Sequence, residues 1–280
     1  MDTSGKWRSW PVYVLHLTAA VIILLPLAFV LISSFRSLDN IFKYISPVTL
    51  RTFLPVETTV EAYIQLFTER EFGRALFNTF YTAILQVLGG VVIGSMAAFA
   101  FVFFSFRGKA LLFSIVLIAF MIPFEVTAIP LYDLVQRLGW IDSYTGIVVP
   151  GLANGLVIFL FRQFFLDLPP SMDEAARIDG AGPLRIYAGI IMPLCKPVTV
   201  SAALMIFVHQ WESFMWPLLA TRSKEYKVIQ VALSDFTTEF GTYWNELFAA
   251  SMISMIIPVL VLLPLQRFFV MGVTSSGLKE

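Results

Sequence analysis

Long apolar runs alternate with polar segments along this chain. Each run has at least the roughly 20 residues that a helix needs to cross a bilayer. We predict six transmembrane helices, at residues 11–33, 75–104, 110–132, 146–165, 198–219 and 247–270. Polar connections separate these runs, so the pattern indicates an all-α polytopic membrane protein.

Composition agrees with this pattern. Hydrophobic residues make up 58% of the 280 residues, charged residues make up 14%, and the mean hydropathy is +0.80. These values are typical of polytopic membrane proteins and not of soluble domains. The formal net charge is zero, which gives no indication of nucleic-acid binding, and the single cysteine, Cys195, excludes an internal disulfide or a cysteine-based metal cluster.

Basic residues predict the orientation of the chain, because lysine and arginine beside membrane spans favour the cytoplasmic side. Lys6 and Arg8 precede the first apolar run, and Arg107 and Lys109 form the short connection between the second and third runs. Lys279 lies near the end of the sequence. We therefore expect both termini to be cytoplasmic.

Two longer polar segments are then expected on the outer side. The first, residues 34–74, has charges of both signs and a predicted short helix near Thr59–Phe67; the second covers residues 221–243. We accordingly divide the chain into residues 1–74, with the first helix and this outer segment, and residues 75–280, a core of five transmembrane helices.

Small residues and prolines mark special places within the apolar runs. Pro123 and Pro130 predict kinks in the third run. The second run contains a cluster of small residues, at Gly89, Gly90, Gly94, Ser95, Ala97 and Ala98. Such clusters allow the backbones of membrane helices to approach closely, so another helix is expected to pack there.

The most polar interruption after the first outer segment runs from Leu168 to Pro197. Ser171 precedes Glu174 by three residues, the spacing of a capping box, so a short helix is expected to begin just after Ser171. Gly180 should end it, because glycine adopts the left-handed conformation that closes helices. Pro183 suits the first turn of a second helix. The interruption is thus predicted to form a helix, a corner and a second helix outside the bilayer.

These residues resemble a known motif, the EAA loop of permease subunits in binding-protein-dependent ABC importers. The matching positions are Glu174-Ala175-Ala176, Asp179-Gly180-Ala181, and the proline-rich exit at Pro193 and Pro197. The resemblance implies a coupling helix that docks into a cytoplasmic ATPase subunit. The residues expected to couple to the ATPase are Ser171, Glu174, Ala175, Ala176, Asp179 and Gly180.

Two further stretches are similar to the sugar branch of that family, the carbohydrate-uptake or maltose-permease-like group. They are the aromatic segment FVHQWESFMWPLL at residues 207–219 and the ending QRFFVMGVTS at residues 266–275. The chain departs from the branch at Glu212, where asparagine is usual after the tryptophan. The departure affects any substrate inferred by resemblance.

The resemblance implies the fold of a type I ABC importer permease and a set of partners. It implies a multi-pass subunit of the cell inner membrane that is in contact with lipid. The implied partners are a second homologous permease, two cytoplasmic ATPase subunits and a soluble substrate-binding protein. ATP and magnesium would be bound by the ATPase subunits, and no cofactor or metal is expected in this chain. The expected function is ATP-driven import of a carbohydrate or carbohydrate derivative by alternating access.

Polar and aromatic groups within the apolar runs are candidates for the substrate path, because ionisable groups at bilayer depth are costly and are usually functional. The candidates are Glu125, Asn154, His209, Gln210, Trp211, Glu212, Ser213 and Trp216. The aromatic rings could stack on a sugar or simply pack, and His209 and Glu212, three residues apart, could instead satisfy one another.

Two other functions remain open at this point. Glu125, His209 and Glu212 could act as the acid and base groups of a membrane enzyme, or as the relay of a proton-coupled secondary carrier. Neither alternative accounts for the EAA-like segment. The sequence contains no phosphate-binding glycine loop and no recognisable catalytic triad.

Overall fold

The computed structural model describes residues 10–238 and 241–274, with the side chains of the last helix described as far as Leu265. Lys6, Arg8 and Lys279, which predict the orientation of the termini, lie outside the described residues. Ser275, the last residue of the stretch that resembles the sugar branch, also lies outside them.

Helices dominate the described chain, as predicted. They are α1 (Trp10–Ser33), α2 (Leu38–Ile45), α3 (Glu61–Thr68), α4 (Phe72–Phe103), α5 (Lys109–Met121), α6 (Phe124–Arg137), α7 (Tyr144–Val148), α8 (Gly155–Leu166), α9 (Pro170–Ile178), α10 (Pro183–Ile186), α11 (Met192–Leu194), α12 (Lys196–Trp211), α13 (Met215–Ala220), α14 (Ile229–Ser234) and α15 (Trp244–Thr274). Two 3₁₀ turns (Leu50–Phe53 and Val149–Gly151) and one π-helical segment (Tyr187–Ile191) join some of them. A two-stranded antiparallel hairpin, β1 (Thr237–Thr238) and β2 (Gly241–Thr242), precedes α15.

Three stretches are long and apolar enough to cross a membrane without a break: α1, α4 and the Trp244–Leu265 part of α15. Three bent pairs meet the same criterion jointly. They are α5 with α6, bent by 101°, Tyr144–Gly151 with α8, bent by 41°, and Pro183–Leu194 with α12, bent by 85°. The described chain therefore holds three unbroken spans, or up to six when each bent pair is one span.

The kink predicted at Pro123 is confirmed, and it is a full break between two helices that are bent by 101°. Helix α5 ends at Met121 and α6 begins at Phe124, so Pro123 stands at a break between two helices. Pro130, by contrast, lies inside α6.

The fifth predicted span, residues 198–219, is wrong as one continuous helix. Helix α12 ends at Trp211 with Glu212 as its C-cap, and α13 starts again at Met215. Pro217 supplies a physical reason, since its ring would clash with the carbonyl of Ser213 four residues earlier in a continuous helix.

The chain divides into two compact units, residues 1–73 with 232–257 and residues 74–231 with 258–280. These units are defined by packing alone, so they do not test the division expected at residue 75. That division stays a prediction. In the first unit, the fully buried Arg36 donates hydrogen bonds to the carbonyl oxygens of Arg51 (2.6 Å), Thr52 (3.1 Å) and Leu54 (2.7 Å). Arg36 therefore joins the start of the 34–74 segment to the turn at Arg51, Thr52 and Leu54. The short helix predicted in this segment is present as α3.

The second unit is built on close contacts between α4, α8 and α12. A Cβ atom on Gly94 would lie 2.6 Å from Cγ1 of Val157, and one on Gly90 would lie 3.0 Å from Cδ1 of Ile206. The small-residue cluster predicted in the second run therefore is a helix-packing surface. Its core continues to the Leu168–Pro197 segment through buried side chains, among them Phe165 and Ile186.

Candidate functional site

The polar segment begins with α9, whose start differs from the prediction. The helix begins at Pro170, after Pro169, and has no side-chain cap. Ser171 is therefore an exposed residue of the first turn and not the N-cap of a capping box with Glu174. Proline explains the difference, because it has the helical φ and lacks the N–H group that a cap would satisfy.

The corner after α9 is formed as predicted. Gly180 has a φ of +78°, and the amide of Ala181 donates to the carbonyl oxygen of Ala176 (2.9 Å). Pro183 stands in the first turn of α10. The helical path that starts at Pro183 passes Pro193 through the π-helical segment and α11 and ends at Leu194, before Pro197. The wider π turn precedes Pro193 and includes Gly189, whose carbonyl the proline ring would otherwise meet.

The expected coupling residues divide between two sides of α9. Ala176 is buried in the core of the second unit. The others are exposed, and so is Ile178, whose side chain is 86% exposed. The exposed set consists of Ser171, Glu174, Ala175, Ile178, Asp179 and Gly180. One side of the helix thus anchors it, while the other side presents a mixed apolar and acidic surface.

Two residues outside the expected set connect this segment to the end of α4. Arg177 forms an ion pair with Asp173 (Nε to Oδ2, 2.8 Å) and donates a long hydrogen bond to the carbonyl oxygen of Phe103 (3.4 Å). The hydroxyl of Tyr187 lies 2.7 Å from Oγ of Ser95. The motif gives no signal for these contacts, because they depend on how α4 packs against the corner.

Two neighbouring cavities lie along α8 and α12. One has a volume of about 690 Å³ and the other about 700 Å³, and Phe120, Asn154 and His209 line both. Glu212 faces the first cavity. The second cavity brings together most of the remaining predicted path residues, namely Glu125, Gln210, Ser213 and Trp216, and adds Gln86.

Several of the predicted path residues also form hydrogen bonds within the fold. The oxygen of the Asn154 side chain caps α8 by accepting from the amides of Leu156 (2.9 Å) and Val157 (3.3 Å). The indole N–H of Trp216 donates to the carbonyl oxygen of Gly146 (3.1 Å). The buried amide of Gln210 donates to Oγ1 of Thr82 (3.2 Å).

The structure corrects the expected place of Trp211. Its ring is buried, with Phe80 at a centroid distance of 5.1 Å and Phe207 at 5.5 Å, and it lines neither cavity. Trp211 therefore packs α12 against α4. Helical spacing places it on the side of α12 away from His209 and Glu212.

The ionisable candidates are open to the cavities. Glu125, His209 and Glu212 are exposed, and within the part of the chain that the structure describes none of them has a side-chain hydrogen bond or ion pair. His209 and Glu212 do not satisfy one another. Among the described residues, no group of three or more His, Cys, Asp or Glu side chains is placed to hold a metal ion.

The first part of the 221–243 segment is held by hydrogen bonds within the second unit. Asp142 accepts hydrogen bonds from the amides of Arg222 (2.8 Å) and Ser223 (2.9 Å) and from the Ser223 hydroxyl (3.0 Å). Burial raises the pKa of the Asp142 carboxyl and is the largest single influence, but these hydrogen bonds together lower the pKa below its usual value. Asn78 donates further hydrogen bonds to the carbonyl oxygens of Glu225 and Lys227, both at 2.8 Å.

Comparison with known proteins agrees with this geometry. The model of the family described as "Binding-protein-dependent transport system inner membrane component" matches residues 90–274, which include α9, the corner and the cavity-lining helices. The chain belongs to this family.

Relatives of this permease resemble it over nearly the whole chain. It is 35% identical over 266 residues to the sn-glycerol-3-phosphate transport system permease protein UgpE of Rhizobium meliloti (strain 1021), covering 91% of this chain and 92% of the relative. It is 30% identical over 272 residues to the arabinooligosaccharides transport system permease protein AraQ of Halalkalibacterium halodurans, covering 97% and 96%.

A solved structure shows the same fold. A chain in the crystal structure of a bacterial ABC transporter involved in the import of the acidic polysaccharide alginate superposes with a TM-score of 0.82 at 23% identity, covering 95% of this permease and 98% of that chain. The type I importer permease fold is thereby confirmed. The permease is a multi-pass component of the inner membrane and is not itself an enzyme.

Proposed function

We propose that this permease is the transmembrane subunit of an ATP-driven, binding-protein-dependent importer for a carbohydrate or carbohydrate derivative. The observation that carries the proposal is α9: an exposed helix, fixed through Ala176 and the Gly180 corner, at the position of the family's EAA motif. Two relatives are named as permeases for sn-glycerol-3-phosphate and for arabinooligosaccharides, and these names support a carbohydrate or carbohydrate derivative as the substrate.

In this proposal, α9 is the coupling helix. Its exposed surface, with Glu174, Ala175 and Ile178, docks into a cytoplasmic ATPase subunit, and a second homologous permease contacts the other ATPase subunit. ATP and magnesium are bound by the ATPase pair. Closure of the pair moves α9, and the contacts of Arg177 and Tyr187 carry the movement to α4.

This function requires α9 to be cytoplasmic, and with it both termini. The segment fixed by Asp142 and Asn78 then lies on the outer side, where a soluble binding protein delivers the solute. Its hydrogen bonds give that surface a defined shape before docking.

The two cavities along α8 and α12 form this subunit's part of the translocation path. His209 is about 20 Å along α12 from Lys196, which is well within a hydrocarbon core of about 30 Å. Hydroxyl groups of a carbohydrate can donate to carboxylate and amide oxygens there. The residues that we assign to the path are Glu125, Asn154, His209, Gln210, Glu212, Ser213 and Trp216.

The proposal is tested by reconstituting the permease with its sister permease, ATPase and binding protein in proteoliposomes. We expect carbohydrate uptake that requires both ATP on the ATPase side and the binding protein. Uptake driven by a proton gradient without ATP would contradict the proposal and favour a secondary carrier. Chemical conversion of the carbohydrate without transport would contradict it in favour of a membrane enzyme.

A further inference from the structure

The charged groups that face the two cavities are of one sign, apart from histidine. Glu212 lines the first cavity and Glu125 the second, while His209 lines both. Among the described residues, no lysine or arginine lines either cavity. The remaining polar lining is neutral, from amide and hydroxyl groups.

Neither carboxylate is used to hold the fold together. Within the described residues, the side chains of Glu125 and Glu212 have no hydrogen-bond or ion-pair partner, whereas Glu246 binds Arg70 and Asp173 binds Arg177. A carboxylate at bilayer depth is costly unless water, a partner subunit or a solute satisfies it. Its unoccupied oxygens can accept hydrogen bonds from hydroxyl or ammonium groups, and they repel phosphate and carboxylate groups.

The names of similar proteins do not decide the charge of the solute. One relative is named for glycerol 3-phosphate, an anion, and another is named for arabinooligosaccharides, which are neutral. The lining charges are a property of this chain itself.

We propose that this permease passes neutral or cationic carbohydrates and excludes carbohydrates that carry phosphate or carboxylate groups. The proposal rests on the importer function proposed above. Glu125 and Glu212 select by charge: they bind hydroxyl or ammonium groups during passage and repel anionic groups.

The first experiment identifies the charge of the solute. The binding protein that works with this permease is screened for thermal stabilisation by arabinotriose, by a glucosamine dimer, by a galacturonate dimer and by glycerol 3-phosphate, and the ligand that binds is supplied to the reconstituted importer. Import of the neutral or cationic ligand is expected. Import of the galacturonate dimer or glycerol 3-phosphate would overturn the charge selection while leaving the importer function intact. Absence of ATP-dependent import of any carbohydrate would overturn the importer function itself.

The second experiment asks whether the two carboxylates act on the solute. Glu125→Gln combined with Glu212→Gln should lower the import rate roughly tenfold for a neutral solute, because two charge-assisted hydrogen bonds are weakened. Glu69→Gln, which changes an exposed carboxylate in the outer segment, is the matched control and should import at the wild-type rate. A higher or an unchanged import rate in the double variant, with assembly intact, would overturn the proposal.

Discussion

Among the described glycines, Gly146 is the one at which an added Cβ atom would meet the nearest obstacle. The atom would clash with the carbonyl oxygen of Trp140 and lie 3.0 Å from its carbonyl carbon. Its own carbonyl oxygen accepts the indole N–H of Trp216. The obstacle is backbone and not the end of a flexible side chain, so the loop before α7 would have to move to make room.

We predict that Gly146→Ala destabilises the permease by about 1–3 kcal/mol, the usual range for overpacking a tight contact. Gly189→Ala is the matched control, because a Cβ atom there would meet nothing within 4 Å. The midpoint of thermal unfolding of the purified complex should fall for Gly146→Ala and stay level or rise for Gly189→Ala. Equal midpoints for the two variants would contradict the close approach.

Asp142 gives a prediction about pH. The folded carboxyl has a lowered pKa, so its stabilising effect is complete above the unfolded pKa, near 3.8, and is lost as the pH falls through the lower folded value. Asp142→Asn should therefore be less stable than wild type at neutral pH, by about 1 kcal/mol for a weakened charge-assisted contact. The gap in unfolding midpoint should narrow below pH 3.8. A gap that widens on acidification would contradict the assignment.

The roles of some residues could be predicted from the sequence, and the roles of others could not. Gly180 and Pro183 were predictable because their backbone preferences act locally, whatever packs around them. Ser171 was misassigned because Pro170 made a cap unnecessary. Trp211 was misassigned because an aromatic residue in an apolar run gives no signal of whether it faces a cavity or a neighbouring helix.

At the scale of elements, a polar contact connects the segment from α10 to α11 with α4. Tyr187 reaches Ser95 with its hydroxyl and stacks edge-on against Phe99, at a centroid distance of 5.5 Å. In the proposed mechanism this contact carries movement from the coupling segment into a membrane-spanning helix.

We predict that Tyr187→Phe and Ser95→Ala are not additive. Each removes the hydrogen bond between the two hydroxyl groups, worth about 0.5–1.5 kcal/mol, and Ser95→Ala also removes the bond from Ser95 Oγ to the carbonyl oxygen of Val91 (2.6 Å). The double variant should therefore lose little more stability than Ser95→Ala alone. Thermal unfolding of the four proteins in a double-mutant cycle measures this. Fully additive losses would mean that the hydroxyl groups do not interact.

The existence of helices was easier to predict than their continuity. The six apolar runs were visible as hydropathy, and the short segment near Thr59–Phe67 is α3. The break at Ser213 was missed because the apolar run continues past it, although Pro217 was visible. The π-helical turn before Pro193 could not be predicted, because such a turn is set by packing and has no sequence signal.

At the scale of the whole molecule, the proposed mechanism assigns ATPase coupling to one surface of the permease and solute passage to one region. The exposed side of α9 presents Glu174 and Ile178, and α12 presents His209 and Glu212 to the cavities. Both belong to the same unit, whose core includes buried residues from α9 to α12. ATPase closure at α9 can therefore be expected to change the cavities through packed helices rather than through a flexible linker.

The most direct test of this account is solute-stimulated ATP hydrolysis by the reconstituted importer with its binding protein. We predict that Ile178→Asp and Glu174→Ala each reduce the stimulation, roughly tenfold for Ile178→Asp because it places a charge where an apolar side chain docks. The control Glu69→Ala should keep wild-type stimulation. Undiminished stimulation in both α9 variants, with the sister permease still co-purifying, would show that α9 does not couple ATP hydrolysis to transport.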